Sequence, residues 1–141
     1  MRPYDFFLLL TLPLCLLGKP QFKDAQLIAM TPNYFSRDHF SPKLFGSNIY
    51  KSGHGRVFRI DIQADRSRFD EDLIYAFTAL ANMGSYAKRP FKQYIVVLHF
   101  NQRDKPPKIA IGKARCSFDC FIRKFKTYQE WKNDCMHFSE T

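Results

Sequence analysis

The sequence lacks a hydrophobic run long enough to cross a bilayer as a helix. Its most apolar stretch, Phe6–Gly18, has thirteen residues, whereas a spanning helix needs about 20. A run of this length behind a short segment with Arg2 is typical of a secretory signal peptide. We therefore predict a signal peptide over residues 1–18 and a secreted or periplasmic mature chain without a transmembrane span. The alternative is a chain tethered to the membrane by an uncleaved N-terminal segment.

Acidic residues are scarce relative to basic ones. The chain has 22 Lys and Arg residues against 13 Asp and Glu, a formal net charge of +9. This excess favours an anionic partner, and for an exported chain we expect an acidic protein, a glycan or lipid head groups. Nucleic acid becomes the alternative partner if the N-terminal segment is not a signal. The candidate contact residues are Lys113, Arg115, Arg123, Lys124 and Lys126. The alternative is that they form only a solvated surface without a partner.

The four cysteines lack the close C-x2-C pairs that structural zinc sites use. Cys116 and Cys120 are four positions apart, and Cys135 follows fifteen residues later. We therefore predict no metal and no cofactor, although His137 could complete a four-ligand set with these cysteines. Export to an oxidising compartment favours a disulfide between Cys135 and either Cys116 or Cys120. We favour Cys120, because a strand is predicted to end at Cys116, and one cysteine then stays unpaired.

The chain also lacks a recognisable catalytic signature. No local signature of a cysteine hydrolase surrounds Cys116 or Cys120, and the glycine-containing stretch 53–55 is too short for a phosphate-binding loop. We therefore assign no catalytic residue and predict a non-enzymatic binding or envelope-assembly module. The alternative is a small secreted hydrolase that uses His99 with a nearby cysteine or acid.

Strand patterns are clear only after Arg56. In residues 57–64 (VFRIDIQA) apolar side chains alternate with polar ones, which predicts a half-buried strand. Residues 93–100 (QYIVVLHF) are apolar on both faces except at His99, which predicts a central strand. Residues 108–116 (KIAIGKARC) predict a third strand, close enough in sequence to pair with the second as an antiparallel hairpin.

Two segments have the apolar spacing of helices. Residues 70–84 (DEDLIYAFTALANMG) place Leu73, Phe77 and Leu80 on one face, with acidic residues in the first turn. A helix between the first two strands predicts a parallel, right-handed crossover if those strands adjoin. Residues 127–138 (TYQEWKNDCMHF) predict a short terminal helix with one apolar stripe.

Residues 19–56 show no lasting helical or strand period. Proline and glycine interrupt this segment repeatedly, and its aromatic residues alternate with basic ones. We predict an irregular arm whose rings pack on the core, apart from a short edge strand at residues 26–30. The remainder, residues 57–141, is predicted to be an α+β core domain with a small mixed sheet in β-α-β-β-α order and one main amphipathic helix.

Overall fold

The computed structural model describes residues 21–102 and 104–139, so the predicted signal peptide lies outside the described residues. The described residues form an α+β fold in which four α-helices accompany a five-stranded mixed sheet. The predicted fold class is therefore confirmed. In chain order the elements are α1 (Asp24–Phe35), β1 (Leu44–Ser52), β2 (Gly55–Ala64), α2 (Phe69–Gly84), β3 (Gln93–Phe100), β4 (Lys108–Lys113), α3 (Ala114–Phe121), α4 (Tyr128–Asp134) and β5 (Met136–Ser139).

The strands lie across the sheet in the order β1-β2-β3-β4-β5. β2 and β3 are parallel, and the other three neighbouring pairs are antiparallel. The parallel pair aligns Val57 with Gln93 and Ala64 with Phe100, and α2 connects the two strands. The β3–β4 hairpin aligns Gln93 with Lys113. Both the parallel pairing through a helix and the antiparallel hairpin are as predicted.

The core lies between α2 and one face of the sheet. The predicted alternation in β2 is confirmed, since its apolar positions are buried and its polar positions are half-buried. The predicted apolar face of α2 is fully buried as well. Each buried Leu, Ile or Phe side chain among them stabilises the fold by roughly 1.5–3 kcal/mol relative to leaving it exposed. The buried residues on the predicted apolar faces of β2 and α2 are Phe58, Ile60, Ile62, Ala64, Leu73, Phe77, Leu80 and Ala81.

The structure corrects the prediction of an irregular arm in its first half. Helix α1 occupies the position of the predicted edge strand and continues through Pro32 to Phe35. Proline inside a helix removes one backbone donor, so local propensity disfavours this helix. It forms because Leu27 and Phe35 are buried in the core, and the Thr31 hydroxyl donates to the Leu27 carbonyl at 2.8 Å.

The second half of the predicted arm contains the edge strand β1. Gly46, Ser47 and Asn48 within it are weak strand formers, so its sequence pattern did not predict a strand. Its pairing with β2 runs from Leu44 to Ser52, with a shift in register between Leu44 and Gly46. β1 therefore depends on its apolar neighbour β2 for its stability.

The last predicted strand and the predicted terminal helix both end earlier than predicted. The predicted strand over residues 108–116 ends at Lys113, and α3 begins at Ala114. The predicted terminal helix is confirmed as α4, but it ends at Asp134. The residues after it form β5, which pairs with β4 and completes the sheet.

Trp131 attaches α4 to the core. Its ring is fully buried and contacts Phe77 and Phe121 edge-on, at centroid distances of 4.7 and 4.8 Å. Its indole N–H donates to the Ser117 hydroxyl at 2.9 Å, and that hydroxyl donates to the Lys113 carbonyl at 2.7 Å. The same tryptophan therefore joins α2, α3 and α4.

We expect Ser117→Ala to lower the free energy of unfolding by about 1–3 kcal/mol, because the buried indole N–H of Trp131 loses its acceptor. Ser36→Ala is the matched control, since the Ser36 hydroxyl donates to the Asn33 carbonyl on the exposed surface. Urea unfolding followed by the fluorescence of the single tryptophan measures both variants. Equal stability of the two would contradict this role of Ser117.

Candidate basic interface

Three neighbouring grooves surround residues 85–92, the loop between α2 and β3. Two of them, of about 520 and 320 Å³, share Pro90, Phe91 and Arg115 in their walls. The third, of about 460 Å³, lies beside the start of α1. We call this surface the basic end, because its walls contain seven Lys and Arg residues against two carboxylates, an excess of five positive charges. The seven are Lys23, Lys88, Arg89, Lys92, Lys113, Arg115 and Arg123.

The directions of the strands explain why these basic residues meet. Because β2 and β3 are parallel, both begin at the same edge of the sheet, where the Lys92 N–H donates to the Arg56 carbonyl at 2.9 Å. β4 runs the opposite way and ends there, so the Ala114 N–H donates to the Lys92 carbonyl at 2.9 Å. Lys92 and Lys113 consequently lie on adjoining segments of backbone.

Gly55 allows the close approach of Lys92. This glycine has a φ of 109°, which other residues rarely adopt, and a Cβ on it would overlap the side-chain stem of Lys92. The stem therefore packs across the backbone at the start of β2, which leaves the ammonium group on the exposed side. The exposed His54 precedes Gly55 and lines the same groove as Lys92.

The two carboxylates of the basic end are both paired with arginines. Asp24 accepts two hydrogen bonds from Arg56, one of them 3.1 Å long, and lies 3.8 Å from Arg89. The hydrogen bonds from Arg56 hold the pKa of Asp24 below its ordinary value. Asp119 lies 3.8 Å from Arg123.

Most of the cations in the basic end have no counter-ion within residues 21–102 and 104–139. Five of the seven make no ion pair with any residue in the described part of the chain, namely Lys23, Lys88, Lys92, Lys113 and Arg115. Their charges are therefore available to an external anion.

The structure brings three of the five predicted contact residues together. Lys113, Arg115 and Arg123 line the grooves of the basic end. Lys124 and Lys126 lie in the turn between α3 and α4, which adjoins Arg123 but lies outside these grooves.

Sequence reasoning missed four of the basic residues in the grooves. Three of them belong to the short stretch KRPFK at residues 88–92, whose density of charge beside a proline was the available signal. The fourth, Lys23, is distant in sequence and is brought near by backbone hydrogen bonds of Phe22 with Tyr86 and Lys88, each 2.8 Å long.

The disulfide joins Cys135 to Cys116, with their Cα atoms 5.9 Å apart, and Cys120 is a buried free cysteine. The pairing of Cys135 with one of the two candidates is as predicted, but the preference for Cys120 is corrected. The reason is that the chain leaves β4 at Lys113, whose N–H donates to the Cys135 carbonyl at 2.9 Å. Cys116 lies in the first turn of α3, immediately beside that contact, whereas Cys120 lies one turn farther along.

His99 lies beside an acid and far from the cysteines. Its Nε2 is 2.9 Å from Asp61, which also accepts hydrogen bonds of 2.9 and 3.1 Å from Arg59. His99 lies six positions after Gln93, or about 20 Å along the strand, and Gln93 is opposite Lys113 just before α3. The cysteines in the described part of the chain lie near that end of β3 and are therefore out of reach of His99. The hydrolase with an acid partner stays a prediction, with Asp61 as its acid.

Comparisons with known proteins assign the chain to no family. No family model matches it, and no curated protein or solved structure is detectably similar to it. Within residues 21–102 and 104–139, no helix is both long and apolar enough to cross a membrane. No group of three or more His, Cys, Asp or Glu side chains in that part of the chain is placed to hold a metal ion.

We expect peptide mapping of the oxidised protein to link Cys116 to Cys135. Trypsin leaves Cys116 and Cys120 in one peptide, so the digest needs an additional cut before Asp119, which separates them. The Cys120 thiol should react with iodoacetamide only after unfolding, because burial shields it and raises its pKa. A link between Cys120 and Cys135 in the native protein would contradict the observed pairing.

We expect Asp24→Asn to lower the free energy of unfolding by about 1 kcal/mol at pH 7, a value that allows for solvent screening of the partly exposed carboxylate. Because the folded-state pKa of Asp24 is lowered, its contribution is fully present above the unfolded pKa of about 4. It is lost as the pH falls through the folded pKa.

Urea unfolding of the wild type and Asp24→Asn across this pH range tests the assignment. The difference between them should be constant above about pH 5 and shrink in more acidic buffer. A difference that grows on acidification would contradict the pairing of Asp24 with Arg56.

Proposed function

We propose that the protein is an exported, non-enzymatic binding protein or envelope-assembly module that engages an anionic partner through its basic end. The observation that supports this function is the set of five cations that have no counter-ion among the described residues and that line three neighbouring grooves. Charges of one sign concentrated along concave surfaces attract and steer partners of the opposite sign. The same charges scattered over the whole surface would not favour one docking face.

The grooves favour a partner with several negative groups over a single small ion. Two of the grooves share Arg115 in their walls, and the third is lined by Lys88 and Arg89, which precede Pro90 in the same loop. A partner that extends along this loop can contact Arg115 and the flanking lysines together. Arginine also offers a planar pair of donors that suits carboxylate, sulfate and phosphate groups.

The site is built on parts of the fold that do not need to rearrange on binding. Lys92 immediately precedes β3, Lys113 is the last residue of β4, and Arg115 lies in the first turn of α3, one residue before the disulfide. Side chains that are already positioned lose less conformational freedom when a partner binds. The disulfide also supports the proposed export, because such bonds persist mainly in oxidising compartments.

We expect the triple variant Lys92→Glu, Lys113→Glu, Arg115→Glu to bind heparin, a sulfated polysaccharide, at least about tenfold more weakly than the wild type. Each exposed charge contributes on the order of 0.5–1 kcal/mol to such contacts, and reversal adds repulsion. Isothermal titration calorimetry at several salt concentrations measures the affinity, which should fall as salt rises.

A second triple variant distinguishes an effect of the basic end on affinity from an effect of the protein's net charge. Arg37→Glu, Lys43→Glu, Lys105→Glu changes the total charge equally, and its residues lie outside the basic end. It should retain most of the affinity of the wild type. An equal loss in both triple variants would show that the charge of the whole protein, rather than the basic end, determines binding.

A further inference from the structure

Phe125 is the most exposed large hydrophobic residue in the described part of the chain, with 69% of its surface accessible. It lies in the turn between α3 and α4, where it is flanked by Arg123, Lys124 and Lys126. We call residues 123–126 the basic turn. Arg123 is the residue of the basic turn that lines one of the three grooves, and the exposed phenyl ring of Phe125 lies outside them on the surface.

The basic turn is held in place by backbone contacts. Lys124 has a φ of 61°, the left-handed conformation that ends the helix, and the Phe125 N–H donates to the Asp119 carbonyl at 2.8 Å. The Arg123 N–H donates to the Phe118 carbonyl at 3.1 Å. The protein therefore presents the exposed ring on a structured turn.

The rings on either side of the basic turn explain why it does not fold back into the core. Phe121 precedes it and Tyr128 follows it, and both stack or pack against the buried Trp131. The core is thus closed without Phe125, whose ring contacts the Arg123 guanidinium at 4.5 Å from its centroid.

We propose that the anionic partner is a lipid surface, with Phe125 inserted among the acyl chains and the basic turn in contact with the head groups. This inference rests on the proposed function and names a partner that contacts the basic end and the adjoining basic turn together. An aromatic ring surrounded by cations is the arrangement that binds peripheral proteins to anionic bilayers. Arg123 connects the basic turn to the basic end, because it also lines the groove that contains Arg115.

A projecting ring fits a lipid surface better than it fits a glycan or an acidic protein. Those partners would use the grooves, where the ring of Phe125 is absent, and would leave it in water. A bilayer instead offers both an apolar layer for the ring and a plane of negative charge for the surrounding cations. Transfer of a phenylalanine ring out of water increases the partition coefficient of the protein by roughly tenfold to hundredfold.

Phe125→Ala is the test, with Phe40→Ala as the matched control. Phe40 is 68% exposed and has the Arg68 guanidinium 5.7 Å from its ring centroid, but it lies near the start of α2, away from the basic end. The full chain is used for every variant, so that the N-terminal apolar segment contributes equally. Partition is measured by sedimentation with vesicles of equal parts phosphatidylcholine and phosphatidylglycerol, and with vesicles of phosphatidylcholine alone.

We expect Phe125→Ala to weaken partition into the anionic vesicles by about tenfold or more, and Phe40→Ala to leave it unchanged. Binding of heparin by both variants should equal that of the wild type. An equal partition of Phe125→Ala and wild type would overturn the lipid proposal. If heparin binding persisted in that case, the proposed function would stand; if neither probe bound the wild type, both proposals would fail.

A second measurement reports the depth of the ring. Phe125→Trp places an indole at the basic turn, while Trp131 stays buried in the core. Phosphatidylglycerol with brominated acyl chains should quench the added fluorescence of Phe125→Trp and leave that of Phe40→Trp unchanged. Equal quenching of the two variants, or none in either, would contradict insertion at residue 125.

Discussion

The parallel pairing of β2 with β3 is the constraint on which the rest of the structure depends. Parallel strands cannot be joined by a tight turn, so the chain crosses back through α2, which then covers one face of the sheet. Because of the same pairing, both strands begin at the same end of the sheet, where the Lys92 N–H donates to the Arg56 carbonyl. The hairpin to β4 then returns Lys113 to that end. The concentration of charge at the basic end is thus a consequence of strand direction.

The C-terminal elements are connected to this centre by a small set of buried contacts. Trp131 joins α4 to α2 and α3, and the Cys116–Cys135 disulfide joins α3 to the residue before β5. Closing a loop of this length by a disulfide stabilises a fold by about 3 kcal/mol. Because α3 and α4 are both fixed, the turn between them is fixed too, and Phe125 stays on the outside. The packing of the core and the shape of the candidate membrane contact therefore have the same origin.

The elements that sequence patterns predicted are those whose own residues bury a continuous apolar face. β2, α2 and β3 belong to this group, and the structure has all three with the predicted connections. α1 and β1 were missed because their local sequences disfavour them: Pro32 lowers the helix propensity of α1, and Gly46 lowers the strand propensity of β1. β1 is stabilised by pairing with the adjacent strand β2, whereas α1 is stabilised by core residues that are distant in sequence. β5 was missed for the same reason, since four residues pair with β4 only after α4 has returned the chain to the sheet.

The sequence by itself determined the excess of positive charge, the α+β class and the choice of Cys135 as one half of the disulfide, because composition and periodicity depend only on residue type and order. It also placed Lys113, Arg115 and Arg123 among the candidate contacts. Only the tertiary structure decided that Cys116 is the other half of the disulfide and that Lys23 and Lys92 join the same surface. Charges far apart in the chain become neighbours through strand pairing and packing. Which two cysteines form a disulfide depends likewise on their proximity in space. Neither relation can be obtained from the spacing of residues along the chain.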